Sequence, residues 1–98
     1  MSPAGVDDVF AALGDPGRRS LVEAVAARGS ATATELAAGL PVTRQAVAKH
    51  LATLADAGLV ESERQGRETR YRLTQAGAEW DDRLDALKRH LQRRRGPA

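Results

Sequence analysis

The chain lacks cysteine altogether, although it is 98 residues long. Disulfide bonds, thiolate metal sites and a cysteine nucleophile are therefore excluded, and the absence suits a reducing compartment. No apolar run approaches the roughly 18 residues that a membrane-spanning helix needs, and residues 1–10 lack the basic and apolar regions of a signal peptide. We therefore expect a cytoplasmic protein.

Aromatic side chains are nearly absent too, since the sequence has one Trp, one Tyr and one Phe. The core must then consist of Leu, Val and Ala, which suits closely packed helices. A chain of this length is expected to form one domain and to bury about two-thirds of its unfolded surface. A partner subunit often supplies the burial that so small a domain lacks.

Catalytic patterns are also missing. The sequence has no Ser-His-Asp or metal-hydrolase spacing and no Gly-rich phosphate loop, so we do not expect an enzyme. The charge is nearly balanced, with 15 Lys and Arg against 13 Asp and Glu and a net charge of +2. Basic residues nevertheless gather in segments 43–50, 64–72 and 88–95. The position of these charges along the chain is therefore more informative than the net charge.

Helical periodicity dominates the first half of the chain. The segment 6–28 predicts two N-terminal helices separated by a Gly-Asp-Pro sequence. Thr32 and Glu35 have the spacing of a capping box, and Thr43 can cap a further helix a few residues after the preceding one ends. The segment 32–57 therefore predicts a helix-turn-helix.

Alternating polar and apolar residues replace this periodicity in the segment 59–73, which predicts a β-hairpin around Gln65 and Gly66. Residues 75–95 return to helical spacing. A lone hairpin is barely stable in water, so this one must pack on the helices as a wing. The expected fold is mostly α with a β-hairpin wing. It is a winged helix-turn-helix of about five helices and two antiparallel strands, in one domain over residues 1–98.

Long hydrogen-bonding side chains stand at the start of the helix that follows Thr43. An α-helix fits the major groove of B-DNA, where Arg pairs with guanine and Gln with adenine. Arg44 and Gln45 are therefore candidates for reading bases. Ala48 would allow close approach, and the flanking polar residues would hold phosphates. The predicted DNA-binding residues here are Thr43, Arg44, Gln45, Ala48, Lys49 and His50.

The tip of the predicted hairpin is basic as well. Its candidate DNA-binding residues are Arg64, Gln65, Arg67 and Arg70. A basic hairpin can straddle the sugar-phosphate backbone and insert an arginine into the minor groove. The alternative for these residues is protection of an exposed strand edge, and the alternative for the helix is an ordinary solvated surface.

The last segment carries apolar residues at the 4-3-4 spacing of a heptad-like seam. It can pack on the protein's own core, or it can pair with a second copy together with the first helix. The predicted interface of a homodimer comprises Val6, Phe10, Trp80, Leu84, Leu87 and Leu91. A twofold dimer would present two DNA-binding helices about one turn of DNA apart.

Metal binding has little support from the sequence. His90 and the Asp81–Asp85 group lie on one helix, and Asp82 is more than two turns from His90. They cannot share one ion within a protomer, and His50 lies on another helix. We expect no metal and no other cofactor.

Three segments together resemble the ArsR family of bacterial winged-helix repressors. They read "VFAALGDPGRRSLVEAVA", "TATELAAGLPVTRQAVAKHLATLADAGLV" and "RQGRETRYRLT", and the match covers about residues 6–74 in order. The resemblance implies a helix after Thr43 that reads DNA, a hairpin wing, and a dimer formed by the first and last helices. It also implies a repressor that occupies an operator and leaves it when a signal changes the dimer.

Departures from the family's pattern narrow this implication. The family's metal sensors often have a cysteine motif in the helix that matches 33–39, and this chain has none there. Its Asp and His pairs on the last helix are incomplete, and Ala48 stands where Ser is frequent. The chain therefore resembles most the members of the family that lack cysteine. A small-molecule inducer of unknown identity is compatible with that resemblance. The alternatives are a winged-helix adaptor for protein partners and a repressor that senses metal through an unrecognised interface site.

Overall fold

The computed structural model describes residues 5–95 of the chain. Within them, as the sequence predicts, five helices and a hairpin follow one another. The elements are α1 (Val6–Leu13), α2 (Pro16–Arg28), β1 (Ala31–Thr32), α3 (Ala33–Ala38), α4 (Arg44–Asp56), β2 (Val60–Gln65), β3 (Glu68–Leu73) and α5 (Gln75–Arg95). In residues 5–95 no helix is both long enough and apolar enough to cross a membrane.

Local side-chain caps begin α2 and α4. Asp15 accepts a hydrogen bond from the Arg18 backbone N–H at 3.0 Å, at the start of α2. Thr43 accepts one from the Ala46 N–H at 3.1 Å, at the start of α4. Such caps satisfy backbone donors that would otherwise have no partner within the helix.

The predicted capping box at α3 is present in full. The Glu35 N–H donates to the Thr32 hydroxyl at 3.1 Å, and the Glu35 carboxylate accepts from the Thr32 N–H at 2.9 Å. This reciprocal pair stabilises a helix of only 6 residues. α3 is thereby fixed in front of α4, which completes the helix-turn-helix.

The hairpin turns one residue later than the sequence suggests. Gln65 pairs with Glu68, so the turn residues are Gly66 and Arg67. Gly66 has a φ of +62°, which suits a tight hairpin whose first turn position is glycine. Placing Gln65 in the turn was therefore wrong, because the left-handed backbone begins at the glycine itself.

The sheet contains a third strand, where two were expected. β1 pairs antiparallel with β3 through Ala31 opposite Tyr71 and Thr32 opposite Arg70. The strand order is β1-β3-β2. A strand of 2 residues is too short to show any alternation in the sequence, so only its tertiary partner identifies it. β1 ties the hairpin to the start of α3.

The core is aliphatic, as the scarcity of aromatics predicts. Its largest fully buried side chains are Leu21, Val22, Val25, Leu36, Val47, Leu51, Leu54 and Leu59. They come from α2, α3, α4 and the segment that enters the hairpin. α5 begins against this core, where a Cβ on Gly77 would collide with the Leu59 carbonyl. Only glycine fits at that approach.

Candidate nucleic-acid interface

The first turns of α4 separate a buried face from an exposed one. Val47 and Leu51 are fully buried and hold α4 against α2 and α3. The exposed residues of the same turns are Thr43, Arg44, Gln45, Ala48 and Lys49. These five predicted site residues therefore share an accessible surface, and Ala48 leaves that surface low between longer side chains.

His50 differs from the other predicted residues of α4. Its side chain is half-buried and points back towards the start of α2. The His50 Nε2 lies 3.6 Å from the position that a Cβ on Gly17 would occupy. Glycine at this position of α2 therefore leaves room for the imidazole. His50 stands at the edge of the exposed surface of α4 rather than at its centre.

The tip of the hairpin is exposed. Arg64, Gln65 and Arg67 all face solvent around Gly66. The Arg64 Nε donates to the Gly66 carbonyl at 3.2 Å, across the turn. The side chains of Arg64 and Arg67 are thus accessible to a partner on either side of a tight turn.

A groove of about 610 Å³ separates α4 from the hairpin. Arg44 and Ala48 line it from α4, while Arg64 and Arg67 line it from the hairpin. Thr32, Glu35, Glu68 and Tyr71 are among the residues that line its floor and sides. Residues that stand some 20 positions apart in the sequence therefore face one cleft, with a guanidinium pair on one wall and a helix start on the other.

Arg70 does not join the arginines of the tip. Its side chain is 22% exposed and lies 3.1 Å from a Glu35 carboxylate oxygen. It also donates to the Ser30 hydroxyl at 3.1 Å and to the Glu68 carboxylate at 3.3 Å. The sequence predicts that Arg70 contacts DNA, but its guanidinium is already bonded within its own chain. The strand register places Arg70 opposite Thr32, near the base of the hairpin and close to these partners.

Arg72 is paired in a similar way on the outer surface of the sheet. Its guanidinium contacts Glu61 at 2.8 Å and Glu63 at 3.2 Å, both on β2. The hydrogen bond with Glu61, followed by the charges of Glu61 and Glu63, raises the pKa of Arg72. The positive charge of the segment 64–72 is therefore concentrated at the tip.

A second surface joins the two ends of the chain. The Phe10 ring of α1 meets the Trp80 ring of α5 edge-on, with centroids 5.4 Å apart, and the Arg83 guanidinium lies 5.1 Å from the Trp80 centroid. Trp80 and Leu84 pack against the core. Four of the six residues predicted for a dimer interface stay exposed: Val6 at 63%, Phe10 at 57%, Leu87 at 53% and Leu91 at 49%.

Carboxylates crowd the contact between α2 and α5. Lys88 pairs with Glu23 across it. The buried Oδ1 atom of Asp81 has no hydrogen-bond partner. Burial raises the pKa of Asp81, and the charges of Asp85, Glu23 and Asp82 raise it further. Within residues 5–95 no group of three or more histidine or acidic side chains is arranged to hold a metal ion.

Sequence reasoning missed the partners of Arg70. The sequence identifies Glu35 as a helix cap and gives no role to Ser30. The spacing of Thr32 and Glu35 reveals the cap, because its partners are three residues apart. A contact between positions 35 residues apart, such as Glu35 and Arg70, leaves no comparable signal in one sequence.

Known proteins share this architecture. A family model described as a helix-turn-helix domain matches residues 13–63. The uncharacterized HTH-type transcriptional regulator YuzN of Bacillus subtilis (strain 168) is 45% identical in an alignment 67 residues long, which covers 62% of this chain and 73% of that protein.

Two solved structures extend the comparison. An ArsR-like transcriptional regulator from Rhodococcus sp. RHA1 is 45% identical, with a TM-score of 0.65 over 85% of this chain and 89% of that one. The AntR antimony-specific transcriptional repressor is 28% identical, with a TM-score of 0.76 over 88% of this chain and 78% of that one.

A capped helix-turn-helix followed by a basic hairpin defines a winged helix-turn-helix DNA-binding protein. The chain belongs to the ArsR-like family of these transcriptional regulators. Its relatives are regulators and not enzymes.

Proposed function

We propose that the protein is a homodimeric repressor that binds a palindromic operator. Its whole length, residues 1–98, acts as one DNA-binding domain, of which the first four and last three residues lie outside the described part. α4 is the recognition helix and enters the major groove. Arg44 and Gln45 contact base edges there, and Ala48 lets the helix approach closely enough to touch a thymine methyl.

Phosphates hold the protein in register on both sides of this contact. Thr43, Lys49 and His50 bind the backbone beside the recognition helix, while Arg64, Gln65 and Arg67 reach it from the wing. The groove between α4 and the hairpin is the single observation that carries this proposal. Its two walls hold Arg44 and Ala48 on one side and Arg64 and Arg67 on the other.

Dimerisation is supported by the exposed apolar surface of α1 and α5. Val6, Phe10, Leu87 and Leu91 are each about half exposed or more, which is costly for a chain with so few large apolar side chains. Pairing with a second copy would cover them together with Trp80 and Leu84. The twofold axis would then set two recognition helices about one turn of DNA apart.

Repression follows from occupancy, because a dimer seated on an operator blocks access to the same DNA. The likeness to AntR, a transcriptional repressor, favours this direction of regulation. A small-molecule inducer that alters the dimer would release the DNA. The exposed α1–α5 surface is where such a change would be transmitted.

Selection of bound fragments from random DNA tests specificity and symmetry together. We expect an enriched inverted repeat whose half-sites lie about 10 base pairs apart. Arg44→Ala should weaken binding to that site by about 1–3 kcal/mol and relax the preference at one position in each half-site. Arg89→Ala is a matched control, because Arg89 is exposed on α5, away from the groove.

An unchanged site preference in Arg44→Ala would contradict the base-reading role. A parent protein that binds all duplexes alike, with little response to salt, would instead favour the adaptor for protein partners. Sedimentation of the free protein and of the complex measures the dimer directly. A single copy on the inverted repeat would contradict the twofold arrangement.

A further inference from the structure

Arg70 bonds to parts of the chain outside the hairpin that carries it. Its Nη2 donates to the Glu35 carboxylate at 3.1 Å and to the Ser30 carbonyl at 3.3 Å, and its Nε donates to the Ser30 hydroxyl at 3.1 Å. Ser30 precedes β1, and Glu35 belongs to α3. One guanidinium therefore joins β3 to α3 by one hydrogen bond and to the residue before β1 by two, and charge assistance makes the bond to Glu35 the strongest of the three.

Glu35 receives this bond while it caps its own helix. The Thr32 N–H is the main reason that the pKa of Glu35 is lowered, and the Arg70 charge lowers it further. The carboxylate is therefore charged at neutral pH. α3 contacts α4, and Leu36 of α3 and Val47 of α4 are both buried in the core, so a group fixed to Glu35 is also fixed relative to α4.

Arg70 lies at the point along β3 where the pairing with β1 ends on the side of the tip. It lies three residues after Arg67 at the tip and opposite Thr32 of β1. Beyond it, towards the tip, β3 has β2 as its neighbour and the open groove on the side of α4. The angle at which the tip projects from the helix-turn-helix is therefore decided near Arg70.

We propose that Arg70 and Glu35 are a positioning pair that sets the wing relative to the recognition helix and thereby determines how well the protein discriminates its operator. The pair touches no DNA. The inference rests on the proposed function, because it concerns how two DNA-contacting parts meet one duplex. When the pair is broken, the tip and α4 still attract DNA, but no longer in one fixed geometry.

Glu68 provides a matched control for Glu35. Both carboxylates line the groove, and both bond to the same Arg70, Glu68 at 3.3 Å and Glu35 at 3.1 Å. Glu68 belongs to β3 itself, so its bond does not link the wing to α3. If charge alone matters, either Gln variant removes one repulsion from DNA and strengthens binding. If position matters, the two variants diverge on the operator.

The experiment compares Glu35→Gln with Glu68→Gln, using fluorescence anisotropy on the selected operator and on a scrambled duplex at several salt concentrations. Gln keeps the capping box, so α3 retains its start. Glu68→Gln should strengthen binding to both duplexes and leave their affinity ratio within about twofold of the parent's. Glu35→Gln should strengthen binding to the scrambled duplex but lower the ratio about tenfold.

Arg70→Lys is a second variant that does not alter the cap of α3. Lysine keeps the charge but cannot reach Ser30 and Glu35 with a fixed fork, so the operator ratio should fall as in Glu35→Gln. Arg70→Gln tests whether Arg70 positions the wing or itself contacts a phosphate, because each phosphate contact adds about one unit to the salt slope of binding. An unchanged slope on the scrambled duplex supports positioning, and a slope lowered by about one unit overturns it.

Thermal unfolding of each variant checks that the compared proteins are folded, and a change in melting temperature does not by itself alter an affinity ratio. Equal behaviour of Glu35→Gln and Glu68→Gln, in a parent that discriminates its operator, would overturn the positioning pair alone. A parent without any sequence preference would overturn the proposed function, and the pair with it. The two failures are therefore distinguishable.

Discussion

Arg64 and Arg67, at the tip of the hairpin, are exposed, whereas Arg70 and Arg72, nearer its base, are bonded to glutamates. The four arginines lie within nine residues and look alike in the sequence. A guanidinium bonded to two carboxylates presents little net charge, so Arg70 and Arg72 add little to the field that attracts DNA. Within one hairpin, arginine is therefore exposed at the tip, where we propose that it binds DNA, and is bonded within the fold nearer the base.

The apolar residues follow the same division. At the base, Leu59 is fully buried and Val60 is 2% exposed. Tyr71 and Leu73 pack on the core from β3. Towards the tip, β2 and β3 consist of polar and charged residues that face solvent. The base is therefore an extension of the core, and the tip is held in place by the base alone.

The largest effect should come from removing core contacts at the base. Leu59→Ala leaves a cavity in the core and should lower the free energy of unfolding by about 3 kcal/mol. Gln65→Ala, at the exposed tip, is the control and should stay within about 0.5 kcal/mol of the parent. Urea unfolding measures both. A loss at Gln65 as large as that at Leu59 would contradict the division between base and tip.

A second prediction concerns DNA. The double substitution Arg64→Ala with Arg67→Ala should lower the salt slope on nonspecific DNA by about two units and weaken binding at least tenfold at low salt. Arg72→Gln removes the same kind of charge from the base and should leave that slope unchanged, because Glu61 and Glu63 already balance Arg72. Equal slopes in the double variant and the parent would show that the tip does not reach the phosphates.

The sequence predicts the parts of this fold that depend on near neighbours. The caps at Asp15, Thr32 and Thr43 and the glycine of the hairpin turn each involve residues a few positions apart, so their spacing is visible in one chain. The five helices and the two long strands follow from periodicity in the same way. The sequence also predicts the exposed start of α4, because the polar residues there lie off the buried apolar stripe of the helix.

The features that the sequence does not reveal depend on distant partners. β1 exists only because Ala31 pairs with Tyr71, and two residues cannot display a period. Arg70 alternates along β3 with the same phase as Arg72, so the pattern assigns both to one charged face. The proximity of Ser30 and Glu35, which both accept hydrogen bonds from Arg70, is a property of the packed structure.

The contact between α2 and α5 extends the comparison to a place where negative charges are in excess. At the base of the hairpin each arginine has carboxylates to bond with, but here Asp81 faces Asp82, Asp85 and Glu23, with Lys88 as the nearby cation. The pKa of Asp81 in the folded protein is raised above its ordinary value of 3.8. Folding therefore favours the protonated carboxyl, and the charged form at neutral pH destabilises the native state.

Asp81→Asn should for this reason stabilise the protein at neutral pH by about 0.5 kcal/mol, a small gain because the side chain is partly exposed and solvent screens its charge. The gain should shrink as the pH falls through the raised pKa towards 3.8, since the parent carboxyl then gains the proton that removes the repulsion. Urea unfolding of both proteins from neutral to mildly acidic pH measures this. Glu79→Gln is the control, because Glu79 is an exposed carboxylate on the same helix and is not one of the charges that raise the pKa of Asp81. A gain that is equal for both substitutions, or that grows with acidity, would mean that burial against α2 does not govern the Asp81 charge.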